Sequence, residues 1–115
     1  MSIWNEAIVI AEIVFKITNE LPKKEDYGFT SQIRRSSLSI SGNIAEAYGR
    51  NHLADKMNFY YYSRGSLTET QSHLEYGFRV EYINEENFNN LNDSLEKLHK
   101  NLNKVIASLK IKKKL

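Results

Sequence analysis

Five cations carry the chemistry this sequence offers most readily: Lys23 and Lys24, the adjacent pair Arg34 and Arg35, and Arg50. Guanidinium groups present planar, paired donors that match phosphate oxygens, and lysines add point charge, so these residues are candidate contacts for RNA or DNA. They are expected to gather near the start of one helix, with Lys110–Lys114 as a second basic run. Tyr61 and Tyr62, in the run Phe59-Tyr60-Tyr61-Tyr62, can stack on unpaired bases where they reach solvent. The competing reading is structural. Arg35 pairs with an acid such as Glu46 or Glu25, and a lysine-rich tail is simply solvated.

Other chemistries find less support. His52, His73 and His99 fall on different segments, and the Glu-x-x-His pattern of metal-binding bundles does not occur. Glu69 and His73 share a helical face at a spacing of four, which reads more simply as a solvent-side pair. There is no cysteine, no GxSxG elbow and no phosphate-cradling glycine loop. The sequence therefore leads to no catalytic residue, no metal, no cofactor and no enzyme.

The element that must position the arginines is Thr30–Arg50. Thr30 is placed to cap its N-terminus, behind Tyr27 and Phe29 as apolar anchors. Ile33, Ser37, Ile40, Ile44, Ala47 and Tyr48 recur at helical spacing as one buried stripe. Arg35, Ser39, Gly42 and Glu46 fall opposite, with Arg34 on the flank. Gly49 suits the left-handed position past a helix end. The run Ser36–Gly42 has poor helix propensity, so packing must hold it, and its small side chains invite a close neighbour.

Gln32–Arg50, QIRRSSLSISGNIAEAYGR, resembles the QIRRA…SIPxNIAEGYGR signature of the four-helix-bundle family encoded by intervening sequences within 23S rRNA genes. The likeness continues at Ser63-Arg64-Gly65-Ser66-Leu67, and at a first helix bearing Trp4 that is followed by Leu21-Pro22. Ser41 replaces the usual proline and Ala47 the usual glycine, both favouring a more regular helix. The resemblance implies an up-and-down four-helix bundle assembling as a homopentamer, with no settled biochemical activity. A group similar in fold, the accessory variability determinants of diversity-generating retroelements, implies a basic pentamer that partners a reverse transcriptase and nucleic acid.

At 115 residues, the chain is expected to form a single domain over residues 1–115. A formal charge of +2 and a pI near 8.8 permit contact with nucleic acid without requiring it. Absence of a secretion pattern and of a membrane-length apolar run leads to a cytoplasmic expectation, with no membrane partner.

Around the central segment the sequence places three more helices. The first spans about Ile3–Glu20 and carries two apolar faces: Trp4, Ala7, Ile8, Ala11, Val14 and Phe15 on one, Ile3, Ile10, Ile13 and Ile17 on the other. One small bundle core needs a single such face, so Ile3, Ile10, Ile13 and Ile17 are the expected oligomer contact. The third helix runs from after His52 to about Tyr82, with Leu53, Met57, Tyr60, Leu67, Leu74 and Phe78 as its core stripe and Gly65-Ser66 as a close-approach point. Asn84 caps the fourth, whose Phe88, Leu91, Leu95, Leu98, Leu102, Val105 and Leu109 form a regular seam. Lys110–Leu115 is expected to fray. The expected protein is an all-α, self-assembling bundle that binds nucleic acid through a basic surface. The alternative is an interaction scaffold for a partner protein, such as a reverse transcriptase, without direct nucleic-acid contact.

Overall fold

The regular apolar spacing of the sequence is realised as four long helices in the computed structural model, which describes residues 2–114. They are α1 (Ser2–Thr18), α2 (Phe29–Gly49), α3 (Leu53–Arg79) and α4 (Glu85–Lys114), with one 3-10 turn at Lys23–Glu25. There is no strand among the described residues. Each helix packs on its chain neighbours, and α4 closes back on α1, while the diagonal pairs do not meet. Successive helices run antiparallel. As α2 descends through Ile40, Ser39 and Ser36, its partners on α3 climb through Ser63, Ser66 and Thr70. The result is a rod of 51 × 24 × 20 Å. No helix among the described residues is long and apolar enough to cross a membrane.

The α2–α3 seam explains why a serine-rich segment stays helical. Ser36, Ser37, Ser41, Ser63 and Thr70 are buried, yet each hydroxyl has a partner. Ser63 donates to the Ile40 carbonyl at 2.8 Å, Ser66 to the Ser39 hydroxyl at 2.9 Å, and Thr70 lies 2.9 Å from the Ser36 hydroxyl. Ser36, Ser37 and Ser41 donate to carbonyls one turn back. Small side chains let the two backbones approach, and hydrogen bonding offsets the desolvation of the hydroxyls.

Several expectations are corrected. Ile3 and Ile10 do not face outward as an oligomer contact. Together with Ala7 and Val14, at steps of four, three and four, they form the stripe buried in this chain's own core. Ile13 and Ile17 are partly buried against that core. Two apolar faces of similar strength left the inward one undecided, and packing chose a stripe that takes members from both. Thr30 is not the cap of α2. The helix starts at Phe29, whose N–H donates to Glu25 Oε1 at 3.2 Å, and the Thr30 hydroxyl is buried without a partner among the described residues. Phe29 is buried as an anchor, whereas Tyr27 is 99% exposed. Tyr48 also leaves the stripe for solvent.

Glycine positions differ from expectation in the same way. Gly49 lies within α2 without a positive φ, and Lys56 Nζ serves the helix end instead, donating to the Ala47 carbonyl at 3.0 Å. Of the expected close-approach pair, Ser66 meets Ser39 across the α2–α3 seam while Gly65 meets nothing; the glycine that is tightly packed is Gly77, against Phe29 and Ile83. At the far end, α4 continues as helix to Lys114 rather than fraying. Leu115 lies outside the described residues. Asn84 caps α4 as expected, accepting from the Asn87 N–H at 2.8 Å.

Candidate nucleic-acid interface

The five sequence-selected cations do not come together. Arg50, just past the end of α2, follows Arg34 by sixteen residues, about 24 Å along a straight helix. Arg34 is committed within the chain. Its Nε donates to the Thr18 hydroxyl at 2.8 Å, and its Nη2 donates to the Phe15 carbonyl at 3.2 Å and to Asn19 Oδ1 at 3.1 Å. The guanidinium also lies 4.4 Å from the centre of the Phe15 ring. It is therefore the C-terminal cap of α1. Arg35 is exposed and makes one long contact, 3.5 Å to Gln32.

Lys23 and Lys24 share the Arg35 end of the rod with an excess of acids. The Tyr82 hydroxyl donates to Glu25 Oε2 at 2.7 Å, which draws the 3-10 turn onto the α3–α4 connection. Glu20, Asp26, Glu81, Glu85 and Glu86 flank these two turns in sequence. The Tyr82 bond, followed by the Phe29 N–H, holds the Glu25 carboxyl below the usual range; the same bond with the carboxylate raises the Tyr82 phenol.

Basic character accumulates at the opposite end, where α2 passes into α3 and α4 terminates. From Lys97 to Lys114 every formally charged side chain is a lysine, whereas Glu85, Glu86, Asp93 and Glu96 supply all the charge in the first part of α4. Lys97, Lys100 and Lys104 are exposed, and no ion pair involves them among the described residues. This segregation was visible in the sequence, but the tail alone drew attention there.

Aromatic rings border this end. Arg50 pairs with Glu46 at 2.8 Å and lies 4.5 Å from the Phe59 ring centre. Arg64 lies 5.2 Å from the Tyr61 ring centre and donates to Asn103 Oδ1 at 2.9 Å, joining α3 to α4. Tyr62 points to solvent. Tyr60 is inward, and burial, with Tyr48 nearby, raises its phenol pKa.

Two further features complete the surface. Ile8, Ala11, Phe15, Arg34 and Leu38 line an apolar groove of about 500 Å³ between α1 and α2, with Phe15 54% and Leu38 59% exposed. His73 Nε2 stands 3.5 Å from Glu69 Oε2 without hydrogen-bond geometry. Among the described residues, no three His, Cys, Asp or Glu side chains converge as a metal-binding group.

The family described as "23S rRNA-intervening sequence protein" matches residues 1–104. The chain belongs to that family. A crystal structure of a protein of unknown function from the S23 ribosomal protein family, from Bacteroides thetaiotaomicron, is similar with a TM-score of 0.82 and 28% identity. The match covers 90% of this chain and 97% of that one. No curated protein matches the chain. Within this 23S rRNA-intervening sequence family, the Gln32–Arg50 motif can now be read physically. Its first arginine caps α1, its Ser36 and Ser39 meet α3, and its last arginine stacks on Phe59.

Proposed function

We propose that this protein is a non-enzymatic, self-assembling nucleic-acid-binding protein, and that its basic surface is the α4 C-terminal end of the bundle. The observation that carries the reading is the charge segregation along α4. A helix dipole favours acids in the first turn and bases in the last, but its effect fades within that turn. Lys97, Lys100 and Lys104 stand well before the last turn, so the dipole does not account for them. Unpaired lysines on a rigid helix provide the electrostatic footprint that a phosphate backbone recognises.

Self-assembly is supported by the groove between α1 and α2, where Phe15 and Leu38 leave hydrocarbon in water beside the charged Glu12, Lys16 and Arg34. A second copy of the chain is the proposed cover, in a ring of five as the resemblance implies. Repetition around a ring would multiply a weak patch into useful avidity.

Fluorescence anisotropy against structured RNA, single-stranded RNA and duplex DNA across a salt series tests the reading, with light scattering on the same samples. Lys100→Ala/Lys104→Ala should weaken binding and lower the salt slope by about two. Lys23→Ala/Lys24→Ala/Arg35→Ala should do neither, and Leu38→Glu should reduce the oligomer mass. The reverse pattern would return the site to the Lys23 end. Absence of binding at low salt would leave a scaffold for a partner protein.

A further inference from the structure

Gly65 has no structural requirement within this chain. It sits in the middle of α3, where glycine is the least favourable residue short of proline. A Cβ built there meets nothing within 4 Å, and the residue has no positive φ. Only a longer side chain at 65 would reach toward the ring one turn before it. Helical side chains lean toward the N-terminus, so a residue at 65 would cover the surface beside Tyr62. Tyr62 is 57% exposed, with glycine as its neighbour one turn on. The ring is nevertheless held in place, because Phe59 packs against it edge to face, with centroids 5.5 Å apart and planes at 89°.

Cations flank this ring. On the α2 side Arg50 stacks on Phe59, the residue that supports Tyr62. On the α4 side Arg64 lies over Tyr61. Glu46 engages Arg50, while Asp55 and Glu69 stand seven residues before and after Tyr62, about 10 Å away along the axis. Both guanidinium groups are held within the chain, Arg50 by Glu46 and Arg64 by Asn103. They add positive potential near an open aromatic face, which suits an unpaired base on a negatively charged strand. Paired bases within a duplex keep their faces stacked and offer no such partner.

We propose that Tyr62, uncovered by Gly65, is a stacking platform for an unpaired base of single-stranded nucleic acid. This rests on the nucleic-acid reading above and adds to it a strand class and a residue.

The test uses the full chain and three fluorescent probes: a short oligouridine, an abasic strand of the same length and charge, and a duplex. Tyr62→Ala should weaken oligouridine binding roughly tenfold and leave the abasic strand unchanged. Tyr62→Phe should bind as the parent does. Gly65→Leu improves helix propensity and covers the ring, so it should lose affinity for oligouridine without losing stability. Equal affinity for the base-bearing and abasic strands, or an unchanged oligouridine affinity in Tyr62→Ala, would overturn the platform while leaving the basic surface standing. Failure of all three probes to bind would overturn both.

Discussion

Arg34 Nε donates to the hydroxyl of Thr18 at 2.8 Å, and that hydroxyl in turn donates to the Val14 carbonyl at 2.7 Å. One of the five side chains expected to meet phosphate thus closes the end of α1. Its positive charge sits where carbonyls of the last turn lack intrahelical partners and where the dipole favours a cation.

Arg34→Ala should therefore act on stability rather than on binding. Urea unfolding is expected to show a loss of about 1–3 kcal/mol, the range for hydrogen bonds from charged groups. Arg34→Lys should recover little of it, since an ammonium group cannot reproduce the forked contacts to Thr18, Phe15 and Asn19. Anisotropy measured on the folded fraction should remain unchanged.

The Tyr82–Glu25 bond predicts a pH dependence at two ends of the scale. Glu25 has a lowered pKa in the folded chain, so its contribution is complete above the ordinary carboxylate range and disappears as pH falls through the lowered value. Tyr82 has a raised pKa, so its contribution is complete below the ordinary phenol range and disappears as pH rises through the raised value. Tyr82→Phe should remove the alkaline limb of a plot of urea midpoint against pH and make the acid limb shallower, the Phe29 N–H retaining part of it. Retention of both limbs in that variant would assign them to other groups.

The α3–α4 turn predicts two substitutions of opposite sign. Glu81 has φ 66°, and the turn is closed by Tyr82 N–H to the Gly77 carbonyl at 2.8 Å and Glu81 N–H to the Phe78 carbonyl at 3.1 Å. Glu81→Gly should stabilise by about 1 kcal/mol, because glycine enters the left-handed region without steric cost. Gly77→Ala should destabilise by about 1–3 kcal/mol. Its Cβ would stand 2.6 Å from Phe29 Cζ and 2.8 Å from Ile83 Cδ1. Thermal or urea midpoints of the pair, measured together, check both.

The amino-acid sequence by itself determined the four helices, because apolar residues at steps of three and four leave few other ways to bury them. It also determined the middle of the α4 seam, where Leu91, Leu95, Leu98 and Leu102 are fully buried, but not its ends: Phe88, Val105 and Leu109 are only partly buried and Ile106 turns inward instead. It did not mark the end of α3, where Glu81 occupies a position that usually announces itself as glycine. Which apolar face of α1 turns inward was settled only in three dimensions. Ile3 and Ile10 are as hydrophobic as Ile8 and Phe15, and packing against α2 and α4 broke the tie. The same holds for the cations. Neighbours in sequence place Arg34 and Arg35 together, but a helix turns about 100° between them, so one meets the end of α1 and the other meets water. Charge type is a property of the residue; whether that charge is free depends on what the fold brings beside it.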